Sequence, residues 1–108
     1  MIPQANRLPS KTKLLSAVFI QTPFFSVKAA KNTEDKNRYA FVIGKKVDKR
    51  AVVRNRLRRV LREIIVQKVD QTEQKYDMVV VIKRNFTEIP REEIVKNAQE
   101  VFVKLTLR

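Results

Sequence analysis

One run of eighteen residues, 45–62 (KKVDKRAVVRNRLRRVLR), limits what this chain can fold into. Half of it is Lys or Arg, with Asp48 as the single acid. Yet Val53, Leu57, Val60, Leu61 and Ile64 recur at i, i+4, i+7, i+8 and i+11, the spacing of a helix that buries one stripe. A helix from Ala51 to about Val69 is therefore expected, packed on a core along one side and cationic elsewhere. At ~100° per residue, Arg54, Arg58 and Arg62 form one row, Asn55 and Arg59 a second, and Arg56 flanks the stripe on its other side. Like charges at i and i+4 cost about 0.2–0.5 kcal/mol per pair in an isolated helix. The free protein gains nothing from them, so the gain must come from a polyanion.

The rest of the chain supplies a sheet. Residues 24–30 alternate as a strand, and 38–46 (RYAFVIGKK) read as another. Tyr39, Phe41 and Ile43 share one face of that strand, with Phe41 expected to be buried. The polar segment 31–37 (KNTEDKN) between them suggests a hairpin. Residues 76–83 (YDMVVVIK) form a continuous apolar run suited to a buried central strand. Residues 88–107 make a second amphipathic helix, with Ile94, Ala98, Val101, Phe102 and Leu105 inward and Pro90 near its start, where proline is tolerated. A short first helix is expected over 11–20, capped by Ser10 and broken at Thr22-Pro23. Gly44, the single glycine, stands at a strand end, a place where glycine usually marks a bulge or a close backbone approach. The order helix, strand, strand, helix, strand, helix predicts one α+β domain over 1–108: a small sheet covered by helices on one face and partly open on the other.

The net charge of +13 is uneven. Residues 45–69 carry ten basic and two acidic residues, whereas 70–108 carry seven of each. A concentrated imbalance of this kind favours a polyanionic partner. Nucleic acid outranks membrane, because the helix face opposite the core stripe lacks the Trp, Phe or Leu that would enter lipid. Arg grips phosphate through two parallel hydrogen bonds, and Asn55 can address a 2′-OH or a base edge. The chain has no Cys and no His, which excludes disulfides, thiolate or imidazole metal sites and His-based acid–base catalysis. Asp48, Glu63 and Asp77 are too dispersed for an acidic pair, and Glu63 is read as an ion-pair partner for Arg59. No segment approaches the roughly 20 apolar residues of a membrane span, and the first residues lack a signal-peptide run. The expectation is a soluble cytoplasmic protein.

The segment GKKVDKRAVVRNRLRRVLREII resembles the signature of the bacterial ribonuclease P protein component: Lys45-Lys46-Val47 at a strand end, a short turn, then Ala51-Val52-Val53 and Arg54-Asn55-Arg56 opening a long basic helix. Asn6-Arg7-Leu8, the strand over 76–83 and the last helix also fit that family. The resemblance implies an α/β sandwich with a left-handed βαβ crossover around the basic helix, against the general preference. It implies a partner in the catalytic RNA of ribonuclease P, which performs Mg²⁺-dependent cleavage at the 5′ ends of precursor tRNA. It also implies that the Mg²⁺ is held by RNA and substrate and that no protein side chain is catalytic. Carried over by position, Lys45, Lys46, Arg54, Asn55, Arg56, Arg58, Arg59 and Arg62 face RNA. Phe19, Phe24, Lys28 and Tyr39 fall at the cleft for the 5′ leader. Two other readings compete: a structural RNA binder such as a ribosomal protein, and a DNA-binding regulator. The second suffers from the lack of a helix closely preceding the basic one, so no DNA partner is expected.

Overall fold

The structure, a computed structural model, describes residues 17–106. In chain order these form β1 (Val18–Gln21), β2 (Phe25–Lys31), β3 (Arg38–Ile43), α1 (Ala51–Val69), β4 (Tyr76–Ile82) and α2 (Arg91–Thr106). The four strands make one mixed sheet in the order β1-β2-β4-β3.

Two expectations fail. Residues 18–20 were expected to end a helix but lie in β1, Ala17 belongs to no element, and residues 11–16 of that expected helix fall outside the described residues. Val18 and Ile20 turn toward the core while Phe19 and Gln21 turn away, a period of two that short β-branched segments favour. The Thr22-Pro23 break closes a β1–β2 hairpin, with Val18 opposite Ala29 and Gln21 opposite Ser26. The Thr22 hydroxyl donates to the Phe25 carbonyl (2.8 Å) and accepts from the Phe25 amide (3.1 Å). The second failure is the hairpin between β2 and β3, which does not form. β4 inserts between them, antiparallel to β2 and parallel to β3. Its continuous Met78–Ile82 apolar run suits the central place, where both edges find backbone partners.

The core lies on one face of this sheet. Phe25, Val27 and Ala29 of β2 and Tyr76, Met78, Val80 and Ile82 of β4 are buried there, under Leu57, Leu61, Ile64, Ile65 and Val69 of α1 and Ile94, Ala98, Val101 and Leu105 of α2. The stripe on α1 is rotated from the expected one. Val53 and Val60 are only half-buried, while Ile65 and Val69 complete the buried line. Phe41 is also only half-buried, stacked on Tyr39 with ring centroids 6.1 Å apart. Phe102 is half-buried, whereas Asn97 is buried.

Side-chain hydrogen bonds stitch the end of the sheet where β3 and β4 begin. Asp70, just past α1, accepts from the Tyr39 hydroxyl (2.8 Å) and the Asn37 amide (2.9 Å). The Asn37 carbonyl oxygen accepts from the Tyr76 backbone N–H (2.7 Å). Asp77 lies opposite Arg38 in the parallel register. Its carboxylate receives both Arg38 Nε (2.8 Å) and Nη2 (2.7 Å), together with the Asn32 amide (2.8 Å). These contacts fix the register of a strand pair that has no tight turn to do so.

Gly44 departs from its expected role. A Cβ there would meet nothing closer than the Lys46 backbone nitrogen at 4.0 Å, and its φ is not in the left-handed region. Gly44→Ala should therefore stabilise the fold by about 0.4–1 kcal/mol through the unfolded chain, measured by urea denaturation. A loss of stability would mean that the turn needs glycine. Burial alone would raise the Asp77 pKa, but the Arg38 fork and the Asn32 amide outweigh it and hold it below the usual carboxylate value. A depressed folded-state pKa contributes stability above the unfolded value of about 3.9, lost as pH falls through the folded value. Asp77→Asn should lower stability at pH 7 and flatten its decline below about pH 4. An unchanged acid limb would remove Asp77 from that role.

Candidate RNA interface

The parallel β3–β4 pair sends both strands toward the same end of the sheet, with Ile43 beside Ile82. There the chain leaves β3 through the turn holding Lys45 and Lys46, both exposed, and enters α1 at Arg50. It leaves β4 at Lys83 and Arg84, also exposed. The two exits are joined by a hydrogen bond from the Asn85 amide to Asp48 (3.0 Å). Lys83 and Arg84 thus join the basic cluster. Sequence reasoning missed them, because only the parallel pairing brings them to this end.

The entry to α1 is held by the one acid of the basic run. Asp48 accepts the Arg50 backbone N–H (2.8 Å) and both arms of its guanidinium (3.0 Å each). These bonds with Arg50 come first among the causes that hold the Asp48 carboxyl well below the usual carboxylate range. Arg54 turns back to donate from Nη1 to the carbonyls of Asp48 (3.0 Å) and Lys49 (2.8 Å). Asp48 is thus engaged internally, and one arginine of the Arg-Asn-Arg block braces the turn. The N-cap position is Arg50, which makes no side-chain cap, and the first turn of α1 has no acid. The first N–H groups of a helix lack intrahelical partners and carry the positive end of its dipole. Here that end is left open beside Lys45 and Lys46.

The cationic residues of α1 divide into two sets. Arg54, Arg58 and Arg62 are half-buried along the edge of the core stripe. Arg58 donates to the Asn55 side-chain oxygen (3.2 Å), while its buried Nε has no hydrogen-bond partner among the described residues. Asn55, Arg56 and Arg59 face outward with Val52, which is 80 % exposed. Among the described residues neither Arg56 nor Arg59 forms a hydrogen bond or ion pair. The expected Glu63–Arg59 pair is replaced by a long one, 3.8 Å, between Glu63 and Arg91 at the start of α2.

The face of the sheet away from the helices carries the rest. Phe19 (58 % exposed) stands directly opposite Lys28, with Val79 and Ala40 continuing the row across β4 and β3. Of the four residues expected at the leader cleft, Phe19 and Lys28 are together on this face. Phe24 is not: it sits at the hairpin tip, half-buried edge-on to Phe86 (6.4 Å), and its carbonyl accepts the Lys83 N–H (2.9 Å). Tyr39 must be corrected outright. It is 2 % exposed on the core face, and its hydroxyl is committed to Asp70. Strand alternation placed Tyr39 with Phe41 and Ile43 correctly, but which face met solvent depended on where α1 packed.

A sequence profile of the ribonuclease P family matches residues 11–106. The chain belongs to the ribonuclease P protein family. This family provides the protein component of the endoribonuclease holoenzyme that matures tRNA 5′ ends. The ribonuclease P protein component of Chromobacterium violaceum is 40 % identical over 94 % of this chain and 87 % of its own length. That of Fusobacterium nucleatum is 34 % identical over 67 % and 68 %. The solved ribonuclease P proteins of Thermotoga maritima (TM-score 0.67, 23 % identity, 81 % of this chain and 82 % of that one) and Staphylococcus aureus (0.68, 20 %, 95 % and 96 %) share the fold. Among the described residues, no three His, Cys, Asp or Glu side chains gather as a metal-binding group. No helix there is long and apolar enough to cross a membrane.

The two aromatic sites separate experimentally. Tyr39→Phe should cost about 1 kcal/mol of stability by removing one donor from Asp70 and leave affinity for single-stranded RNA unchanged. Phe19→Ala should keep stability and weaken that RNA by about 1 kcal/mol or more if Phe19 stacks on a base. Thermal melts and fluorescence anisotropy read the two effects, and the reverse pattern would reassign the faces.

Proposed function

We propose that the whole chain acts as one RNA-binding domain whose basic end seats the catalytic RNA of ribonuclease P and whose open sheet face receives the 5′ leader of precursor tRNA. The observation that carries this reading is the state of α1's first turns. Arg56, Arg59 and Asn55 face outward, Arg56 and Arg59 with no side-chain hydrogen bond or ion pair among the described residues, above an uncapped helix end, while Asp48 is engaged by Arg50. Lys45, Lys46, Lys83 and Arg84 extend the same surface. Arg58 and Arg62 line its inner edge, and Arg54 holds the turn in place. Several phosphates could be met at once, each releasing counterion. Phe19 over Lys28 offers one stacking ring beside one cation, a pairing suited to an unpaired strand.

The division of labour follows from the side chains. Without His or Cys, and without a gathered acidic group among the described residues, this chain binds and orients RNA. Hydrolysis falls to the RNA, with Mg²⁺ held by RNA and substrate. Membership in the family favours this over a ribosomal or DNA-binding role. It also supports a left-handed sense for the β3–α1–β4 connection and a cytoplasmic site of action, where precursor tRNA is processed.

Reconstitution tests the reading. The protein added to a cognate bacterial ribonuclease P RNA and precursor tRNA at low Mg²⁺ should stimulate 5′ cleavage, and the protein alone should not cleave. Failure to stimulate would sink the proposal. Arg56→Ala should weaken RNA binding and lower the slope of log affinity against log salt by about 0.9 for one lost phosphate contact. An unchanged slope would strike Arg56 from the interface.

A further inference from the structure

Between α1 and the 86–91 segment lies a half-open cavity of about 180 Å³. Leu57 and Val60 of α1 form one wall, and Phe86, Ile89 and Ile94 close the apolar floor. Arg56 and Arg91 stand at its lining with Thr87. Leu57, Phe86 and Ile94 are buried, whereas Arg56, Thr87 and Arg91 are exposed. Apolar side chains at the floor and two cations at the mouth stand together here.

We propose that this cavity receives one unstacked base of an RNA strand, with the adjoining phosphate held between Arg56 and Arg91. The inference rests on the RNA-binding reading above and adds a site that the Arg-Asn-Arg helix alone does not supply. Three observations carry it. An apolar cavity of ~150 Å³ is already large enough to admit benzene, so one planar ring fits here. Polar groups make up the larger part of the cavity surface, but Val60 and Ile89 give a base some apolar contact, which a purely charged surface does not. The charge complements a nucleotide: Arg56 has no hydrogen bond or ion pair among the described residues. Arg91 is held only by Glu63 at 3.8 Å, where both side chains are more than half exposed. An exposed pair of that length is worth little, so Arg91 is available to a phosphate. The Thr87 hydroxyl donates to Asn85 (2.7 Å) and keeps its oxygen as an acceptor at the cavity wall. An N–H on a base edge could meet it.

The test uses the full chain with two labelled RNA octamers of equal charge, one of uridines and one abasic. Methyl NMR of Ile89, Val60 and Leu57 locates the binding. The uridine strand should bind about tenfold tighter than the abasic one, and its bases should shift the Ile89 and Val60 methyl resonances. Arg91→Ala should weaken both strands. Thr87→Trp, a change at an exposed position that obstructs the cavity, should erase the difference between the strands while preserving the salt slope. Equal affinities, or base-dependent shifts confined to Val79 and Val81 on the open sheet face, would overturn the pocket and leave the phosphate surface standing. Absence of binding by either strand, together with failure to stimulate cleavage by the cognate RNA, would instead remove the underlying RNA-binding reading.

Discussion

The parallel pairing of β3 with β4 is the constraint on which the other features depend. Two parallel neighbours cannot be joined by a tight turn, so the chain must cross the sheet between them. Here the crossing element is α1, nineteen residues long. That crossing lays Leu57, Leu61, Ile64, Ile65 and Val69 over the core face and returns the chain at Asp70, beside the start of β4. It also fixes which part of α1 meets solvent beyond the sheet: its first turns, with Arg56 and Arg59. Remove the pairing and the basic residues lose their common platform.

The pairing is not secured by apolar contact alone. β4 carries interchangeable valines, and a one-residue slip of an apolar strand is opposed mainly by side chains that have one correct partner. Asp77 with Arg38 and Asn32, and Asp70 with Tyr39 and Asn37, provide such partners. The side chains of this network are paired with one another in this register, and a slip would leave several unpaired, at about 1–3 kcal/mol each. This explains the burial of Asn37, which apolar periodicity could not anticipate.

Helices and central strand were legible in the sequence because each carries its signal within its own residues. The bounds of α1 and the start of β4 could be read from spacing and from a continuous apolar run. The pairing could not. Residues 31–37 look like a hairpin turn, and nothing local says that a strand forty residues later will separate β2 from β3. The same gap explains the site. The arginines of α1 were found because they are consecutive, while Lys83 and Arg84 reach the cluster only through topology. Tyr39 was placed at the leader cleft through the resemblance, although alternation groups it with Phe41, which was expected to be buried. Val18 and Phe19 were taken into the helix expected over 11–20, although Thr22-Pro23 and the partner strand β2 make them an edge strand.

The side-chain network at the start of β3 and β4 has one further consequence. Glu34, Asp35, Asp70, Glu73 and Asp77 all belong to that end, where Lys31, Lys36, Arg38, Lys68 and Lys75 offset them. At the other end Asp48 stands against Lys45, Lys46, Lys49, Arg50, Arg54, Lys83 and Arg84. One end is thus balanced in charge, while the other gathers the cations of the β3–α1 turn and the β4 exit, with Glu88, Glu92 and Glu93 beyond them. In dilute salt its field extends about 30 Å at 0.01 M, against about 10 Å at 0.1 M. An approaching polyanion would feel a torque before any contact forms, and the protein would arrive already turned.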